Sequence, residues 1–226
     1  MTLPPLGDRE LAQTWESAWG HLGVPAPVEL REELERAWSE PQRYYHDQRH
    51  LRGCLALWTI WSGECEHPGE VGLALWFHDA VYDPQASDNE LNSAIWAKRS
   101  LEAAGVERDV VRRVHELIMA TCHGGGEASQ PRSPGDHATI GSAADRSLLL
   151  DIDLAILGSP PERFNIYEQD VRREYAWVPL PVYREKRAAL LKMFLNSERL
   201  YRSAPAFERF ESQARINLTE AISKLT

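Results

Sequence analysis

Apolar residues recur along this chain at intervals of three and four, and runs of Val, Ile and Thr with alternating polarity are absent. That period belongs to helices and not to strands, so it restricts the chain to an all-α fold, a helical bundle. From Asp8 the series Leu11, Trp15, Trp19, Leu22 predicts one amphipathic helix, closed by Gly20 and Gly23. Leu30, Leu34 and Trp38, after Pro25-Ala26-Pro27, predict a second; the two are expected to form an N-terminal hairpin over residues 1–40, packed on the rest. Pro41 ends that pair, because the residue before a proline is pushed out of the helical region.

Further helices are predicted for Leu51 through Trp61, for Val71 through Phe77, and for the segment that Ser87 or Asp88 caps and that runs to Leu101. Val106–Thr121, Asp145–Leu157, Pro160–Tyr175, Pro181–Tyr201 and Pro205–Leu225 complete the set, with Trp177, Tyr183, Phe194 and Phe207 expected to pack. No repeat or linker divides residues 1–226, so a single domain is expected. Residues 124–141, rich in Gly, Ser and Pro, read as a mobile loop that is either a flap near a site or idle.

Composition narrows the function classes. The 226 residues suffice to bury about seven-tenths of the unfolded surface, and 43% hydrophobic with 26% charged residues is ordinary for a folded protein. A net charge of −9 without any long Lys/Arg run argues against nucleic-acid polymers and anionic membranes as partners. With no signal segment or bilayer-length apolar stretch in view, the expected location is the cytoplasm. Cys54, Cys65 and Cys122 show no CxxC spacing and read as buried small hydrophobes of a reducing compartment. Eight tryptophans suit a homodimer, although core packing explains them equally.

The chemistry begins where the run Val71–Phe77 ends, at His78-Asp79. Adjacent helical residues point about 100° apart, yet at a helix end both side chains can converge on one ion. Imidazole with carboxylate suits zinc, iron, manganese, cobalt or nickel better than calcium, with magnesium also admitted. His46 and His50 stand four apart, on one face of a helix. Asp151 and Asp153 lie in an apolar run, where a carboxylate is costly unless paired. They are about 200° apart on the helical wheel, so one is expected to meet the metal and the other to be hydrogen-bonded or exposed. His123 either caps the Val106 helix or stands at the rim of the site.

Arg43-Tyr44-Tyr45-His46 with His50, Phe77-His78-Asp79-Ala80-Val81-Tyr82-Asp83, Asn89-Glu90 with Ser93-Ala94, Ile118 with Ala120-Thr121 and His123, Asp151 with Asp153 to Gly158, and Arg172 with Glu174-Tyr175 occur in that order. Over about residues 40 to 200 this resembles the HD superfamily of metal-dependent phosphohydrolases, most nearly a bacterial subgroup of HD-type phosphohydrolases. The resemblance implies an HD-domain-like bundle with a divalent metal held by His50, His78, Asp79 and Asp153, Asp151 being the runner-up for the last place. It implies hydrolysis of a small phosphorylated molecule by metal-activated water, with a nucleotide as substrate by analogy alone.

In that scheme Asp79 both ligates and orients water, and His123 neutralises phosphate or protonates the leaving oxygen. Glu90 is a base or simply a helix-dipole partner, and His46 is an extra ligand or a substrate contact. Lys98, Arg172, Arg184 and Arg187 are the candidate phosphate cations, Arg172 and Arg187 foremost, against the alternative that each is a surface ion-pair partner. Two other functions are compatible with the sequence. One is a di-iron oxygenase, if His46 and His123 reach the metal; the other is a non-catalytic regulatory module whose metal is closed off by protein atoms.

Overall fold

The structure, a computed structural model, describes residues 6–122 and 141–226. His123 and residues 124–140 of the expected loop therefore lie outside the described residues. Among the described residues there is no strand, and ten α-helices follow one another: α1 (Asp8–His21), α2 (Val28–Ala37), α3 (Gln48–Trp61), α4 (Pro68–Phe77), α5 (Asn89–Ala103), α6 (Arg108–Met119), α7 (Ala143–Asp153), α8 (Pro161–Glu174), α9 (Leu180–Leu195) and α10 (Ala204–Leu225). The fold is all-α, as the period predicts. No helix among them is long and apolar enough to cross a membrane.

Helix α4 is the axis. Every residue from Gly69 to Phe77 is buried, because Val71, Leu73, Leu75, Trp76 and Phe77 leave no polar face. A helix apolar all round must be wrapped, and α1, α3, α5, α6 and α7 all pack on it. Each large apolar side chain so buried contributes about 1.5–3 kcal/mol. Its one charged residue, Glu70, is met by the guanidinium fork of Arg113 on α6, with Nε 2.8 Å from Oε2. Gly72 lets α1 and α3 approach: a Cβ there would stand 2.7 Å from the Trp58 ring and 3.1 Å from the Ala18 methyl.

Tryptophans bind the shell to this axis. Trp15 packs edge-on against Trp76 at 5.1 Å, and its indole N–H donates to the Pro27 carbonyl, tying α1 to the entry of α2. Trp38 donates to the Trp76 carbonyl and Trp58 to that of Pro68, each at 3.0 Å. Six of the eight, Trp15, Trp19, Trp38, Trp58, Trp61 and Trp76, are buried, so the core accounts for most of the tryptophan content.

Several boundaries differ from expectation. Regular helix stops at Asp153 and tightens into a 3-10 turn, Leu154–Gly158, because Asn217 on α10 takes the Leu157 and Ser159 carbonyls and Tyr201 takes that of Leu154. Helix α9 ends at Leu195 rather than Tyr201, since Arg215 captures the carbonyls of Leu195, Ser197 and Glu198. Asp88 takes the N-cap place of α5 without a side-chain cap; Asn89 instead brackets Asp83, receiving its N–H and donating to its carbonyl. Trp177 meets the Tyr175 ring at 6.5 Å but does not join the core. It is 54% exposed, because Arg172 holds the Tyr175 and Val178 carbonyls and the turn between them faces outward.

Candidate metal centre

Three helix ends place the donor groups. Asp47 caps α3 by accepting the N–H groups of Arg49 and His50, which sets His50 in the first turn with its side chain inward. His78 follows the last residue of α4, and its Nδ1 sits 2.9 Å from the Leu75 carbonyl, so that nitrogen carries a proton and Nε2 is aimed away from the backbone. Asp79 starts the turn beyond it. Asp153 is the last α-helical residue of α7.

These four side chains meet. The Nε2 atoms of His50 and His78 are 3.1 Å apart. Asp153 Oδ1 is 3.2 Å from the first and 3.5 Å from the second, and Asp79 Oδ2 is 3.3 Å from His78 Nε2. Ligands about 2.0–2.2 Å from an ion stand about 3.0 Å apart at right angles and about 3.4 Å apart at tetrahedral angles. The observed separations are of that size. The imidazoles are buried, whereas the Asp79 and Asp153 side chains keep 14% and 13% of their surface, so the cluster is open on its carboxylate side.

The electrostatics call for positive charge. Burial opposes a charged His78, yet the Asp79 carboxylate, the Asp153 carboxylate and the Leu75 carbonyl together lift its pKa to about 9. Burial holds the pKa of His50 below the usual range, against the pull of Asp153 and with the help of its neighbours His78 and His46. Two imidazoles and two carboxylates thus crowd one point, where one divalent ion would satisfy all four, and the donor set fits such an ion.

Around the cluster the structure adds groups that the sequence reading did not place. Arg43 is buried, and its guanidinium donates to the carbonyls of Asp79 at 2.7 Å, Ala80 at 2.9 Å and His46 at 3.0 Å, besides Glu40 Oε2 at 3.1 Å. It fixes the His78-Asp79 turn against the segment carrying His46. Ser93 pins the same turn by receiving the Val81 N–H at 3.0 Å.

Glu174, the last residue of α8, accepts the N–H groups of Tyr44, Tyr45 and His46 on Oε1, and faces His46 Nδ1 at 2.7 Å and the Tyr82 hydroxyl at 2.9 Å with Oε2. Burial pushes its pKa up, but the His46 hydrogen bond and charge and the backbone N–H groups outweigh that and bring it to about 2. The His46 pKa is raised: burial opposes its charge, while Glu174, Asp79 and Asp153 favour it. Its ring stacks on Tyr82 at 4.4 Å. Both Arg43 and Glu174 fall within the motifs that carry the family resemblance, and that was their one sequence signal.

The remaining expected residues are placed elsewhere. Asp151 accepts the N–H groups of Arg202 and Ser203 and so fixes the entry to α10. Glu90 lies half-buried in the first turn of α5, where a carboxylate suits the helix dipole. Lys98 is exposed on α5, and its charge acts on His115 of α6. Arg172 donates to the Tyr175 and Val178 carbonyls and lies over the Tyr183 ring; buried Arg187 is bound to Glu168 and the Tyr167 hydroxyl. These arginines serve the packing of α8 on α9. Cys54, one turn beyond His50, is buried with Sγ 3.7 Å from His50 Nε2.

Comparison with family models, curated proteins and solved structures finds no match to this chain.

Proposed function

We propose that this chain is an HD-type, divalent-metal-dependent phosphohydrolase acting on a small phosphorylated molecule, a nucleotide being the first candidate. The observation that carries the reading is the convergence of His50, His78, Asp79 and Asp153, whose donor atoms lie 3.1 to 3.5 Å apart in the contacts that join them. A divalent ion there supplies the charge that lowers the pKa of water and offsets negative charge developing on phosphorus. In this reading Asp79, the more exposed of the His-Asp pair, orients the attacking water as well as ligating the ion. His46 has its Nδ1 tied to Glu174, which leaves Nε2 to bind a phosphoryl oxygen or pass a proton to the leaving oxygen.

Openness separates this reading from a closed structural site. Partly exposed carboxylates leave room for exchangeable ligands, which a catalytic ion needs and a structural one lacks. The test is metal analysis of the purified protein, followed by a phosphatase screen over nucleotides and sugar phosphates with manganese, cobalt, nickel and magnesium. His78→Ala and Asp79→Ala are expected to lose both bound metal and turnover while keeping a helical circular dichroism spectrum. Undiminished turnover in either variant would remove the cluster from the chemistry.

A further inference from the structure

Helix α8 turns one stripe of its surface toward the metal centre. On the helical wheel Tyr167, Asp170 and Glu174 all lie within about 40° of Arg163. Three of these four bear on residues 44–50, the segment that carries His46 and His50. Glu174 gathers the N–H groups of Tyr44, Tyr45 and His46, Asp170 meets Arg49 at 3.4 Å, and the Tyr167 ring stands 4.5 Å from that of Tyr45. The Tyr45 ring is in turn 4.8 Å from that of His50, so it lies between the stripe and the donor cluster.

Arg163 is the fourth member, one turn before Tyr167 and about 6 Å from it along the axis. It is half-buried, and among the described residues no group accepts a hydrogen bond from its guanidinium or forms an ion pair with it. By contrast Arg43 is tied to carbonyls, Arg49 to Asp47 and Asp170, Arg173 to Asp170, and Arg187 to Glu168. Burial, Tyr167, Asp153 and Cys54 raise the pKa of Tyr45, and Arg163 lowers it, so the guanidinium and the Asp153 carboxylate act on the same hydroxyl. A guanidinium whose fork of donors is free matches a phosphate, which it takes by two parallel hydrogen bonds. With Tyr45 between them, a group held by Arg163 is not the one at the donor cluster but one attached beside it.

We propose that Arg163 binds the second phosphate of a phosphoanhydride whose first phosphate meets the metal centre, so that the substrate is of the nucleoside diphosphate kind rather than a monoester. This rests on the phosphohydrolase reading above. In the hydrolysis, water oxygen forms a bond to the reacting phosphorus and the bond from that phosphorus to the bridging oxygen breaks. One water proton ends on the leaving phosphate, whose negative charge Arg163 offsets.

The experiment is calorimetric titration of the manganese-loaded full-length protein with two probes, orthophosphate and the non-hydrolysable adenosine α,β-methylene diphosphate, alongside kinetics on adenosine diphosphate and p-nitrophenyl phosphate. Arg163→Ala is expected to weaken binding of the methylene analogue, and to lower kcat/KM for adenosine diphosphate, by roughly tenfold or more. Orthophosphate affinity and kcat/KM for p-nitrophenyl phosphate, which offer no second phosphate, should stay as in wild type. Arg163→Lys, which keeps the charge without the fork, should restore part of the loss and guards against misfolding of the alanine variant. An alanine variant equal to wild type, or one that loses all four measures alike, overturns the assignment of Arg163 and leaves the phosphohydrolase standing. Wild type that cleaves p-nitrophenyl phosphate but not adenosine diphosphate does the same. Wild type that binds neither probe and cleaves neither substrate overturns the phosphohydrolase and this inference with it.

Discussion

Replacing Glu174 by glutamine keeps the shape of the side chain and removes the charge on which five hydrogen bonds converge. One carboxylate oxygen receives three successive backbone N–H groups, of Tyr44, Tyr45 and His46, and the other meets His46 Nδ1 and the Tyr82 hydroxyl. Hydrogen bonds to a charged group are worth about 1.5–3 kcal/mol against about 1 for neutral ones, so loss of charge alone should be felt. The same contacts hold the pKa of Glu174 at about 2 against an ordinary 4.5, which corresponds to about 3 kcal/mol at most. Part of that belongs equally to His46 and is not to be counted twice. A loss of about 2–3 kcal/mol is expected, or roughly 5–10 °C in melting temperature for a chain of this size.

Each partner sets one side of the pH window. Glu174 is depressed, so its contribution is complete above its unfolded pKa and disappears as pH falls toward about 2. His46 is raised, so its contribution is complete below its unfolded pKa and disappears as pH rises through its folded value. Wild type should therefore exceed Glu174→Gln by most between about pH 4.5 and 6.5, the two unfolded values, with the margin shrinking on either side. Melts by far-ultraviolet circular dichroism across that range, with the variant subtracted so that other acids cancel, read the margin directly. A variant that melts within about a degree of wild type at every pH would show that the carboxylate does not organise this segment.

Gly158→Ala would set a Cβ 2.5 Å from Phe210 Cβ and 2.7 Å from the Phe210 carbonyl, so α10 must shift; urea denaturation should show a loss of about 1–3 kcal/mol. Asp151→Ala leaves the N–H groups of Arg202 and Ser203 without their acceptor, and the same assay should show about 1–2 kcal/mol lost with metal content unchanged. Arg43→Lys cannot bridge the carbonyls of His46, Asp79 and Ala80 at once, and competition with a coloured chelator should show metal affinity about 10–100-fold weaker.

What the sequence revealed depended on the distance over which each signal acts. Helices are local, so the period of three and four located them, and the uninterrupted apolar run of α4 is the reason the other helices wrap it. Ends set by remote partners were not legible: α9 stops where Arg215 takes its carbonyls, and α7 tightens where Asn217 and Tyr201 do the same. The four donor residues could be named beforehand only because the motif order resembles a family; no period relates position 50 to position 153. Arg43 and Glu174 show the limit most clearly. An arginine in a polar stretch and a glutamate at a helix end ordinarily point to solvent, and their burial follows from carbonyls and N–H groups that come together only after folding. Cys54 did read as buried, and it is, on α3 one turn beyond His50.

The placement of the donors at helix ends bears on the order of binding. His78 and Asp79 follow the C-terminus of α4, and Asp153 ends α7, so two negative dipole ends and two carboxylates converge on one point, against the single positive end of α3 that carries His50. A phosphate would be repelled from that point and a cation drawn to it. Three guanidinium groups of the opposite sign are committed elsewhere, Arg172 to carbonyls, Arg187 to Glu168 and Arg43 to the backbone around Asp79. In the proposed reaction the ion is therefore a precondition for substrate approach as well as a catalyst. His46, held by Glu174, adds a cationic edge whose charge the same carboxylates favour.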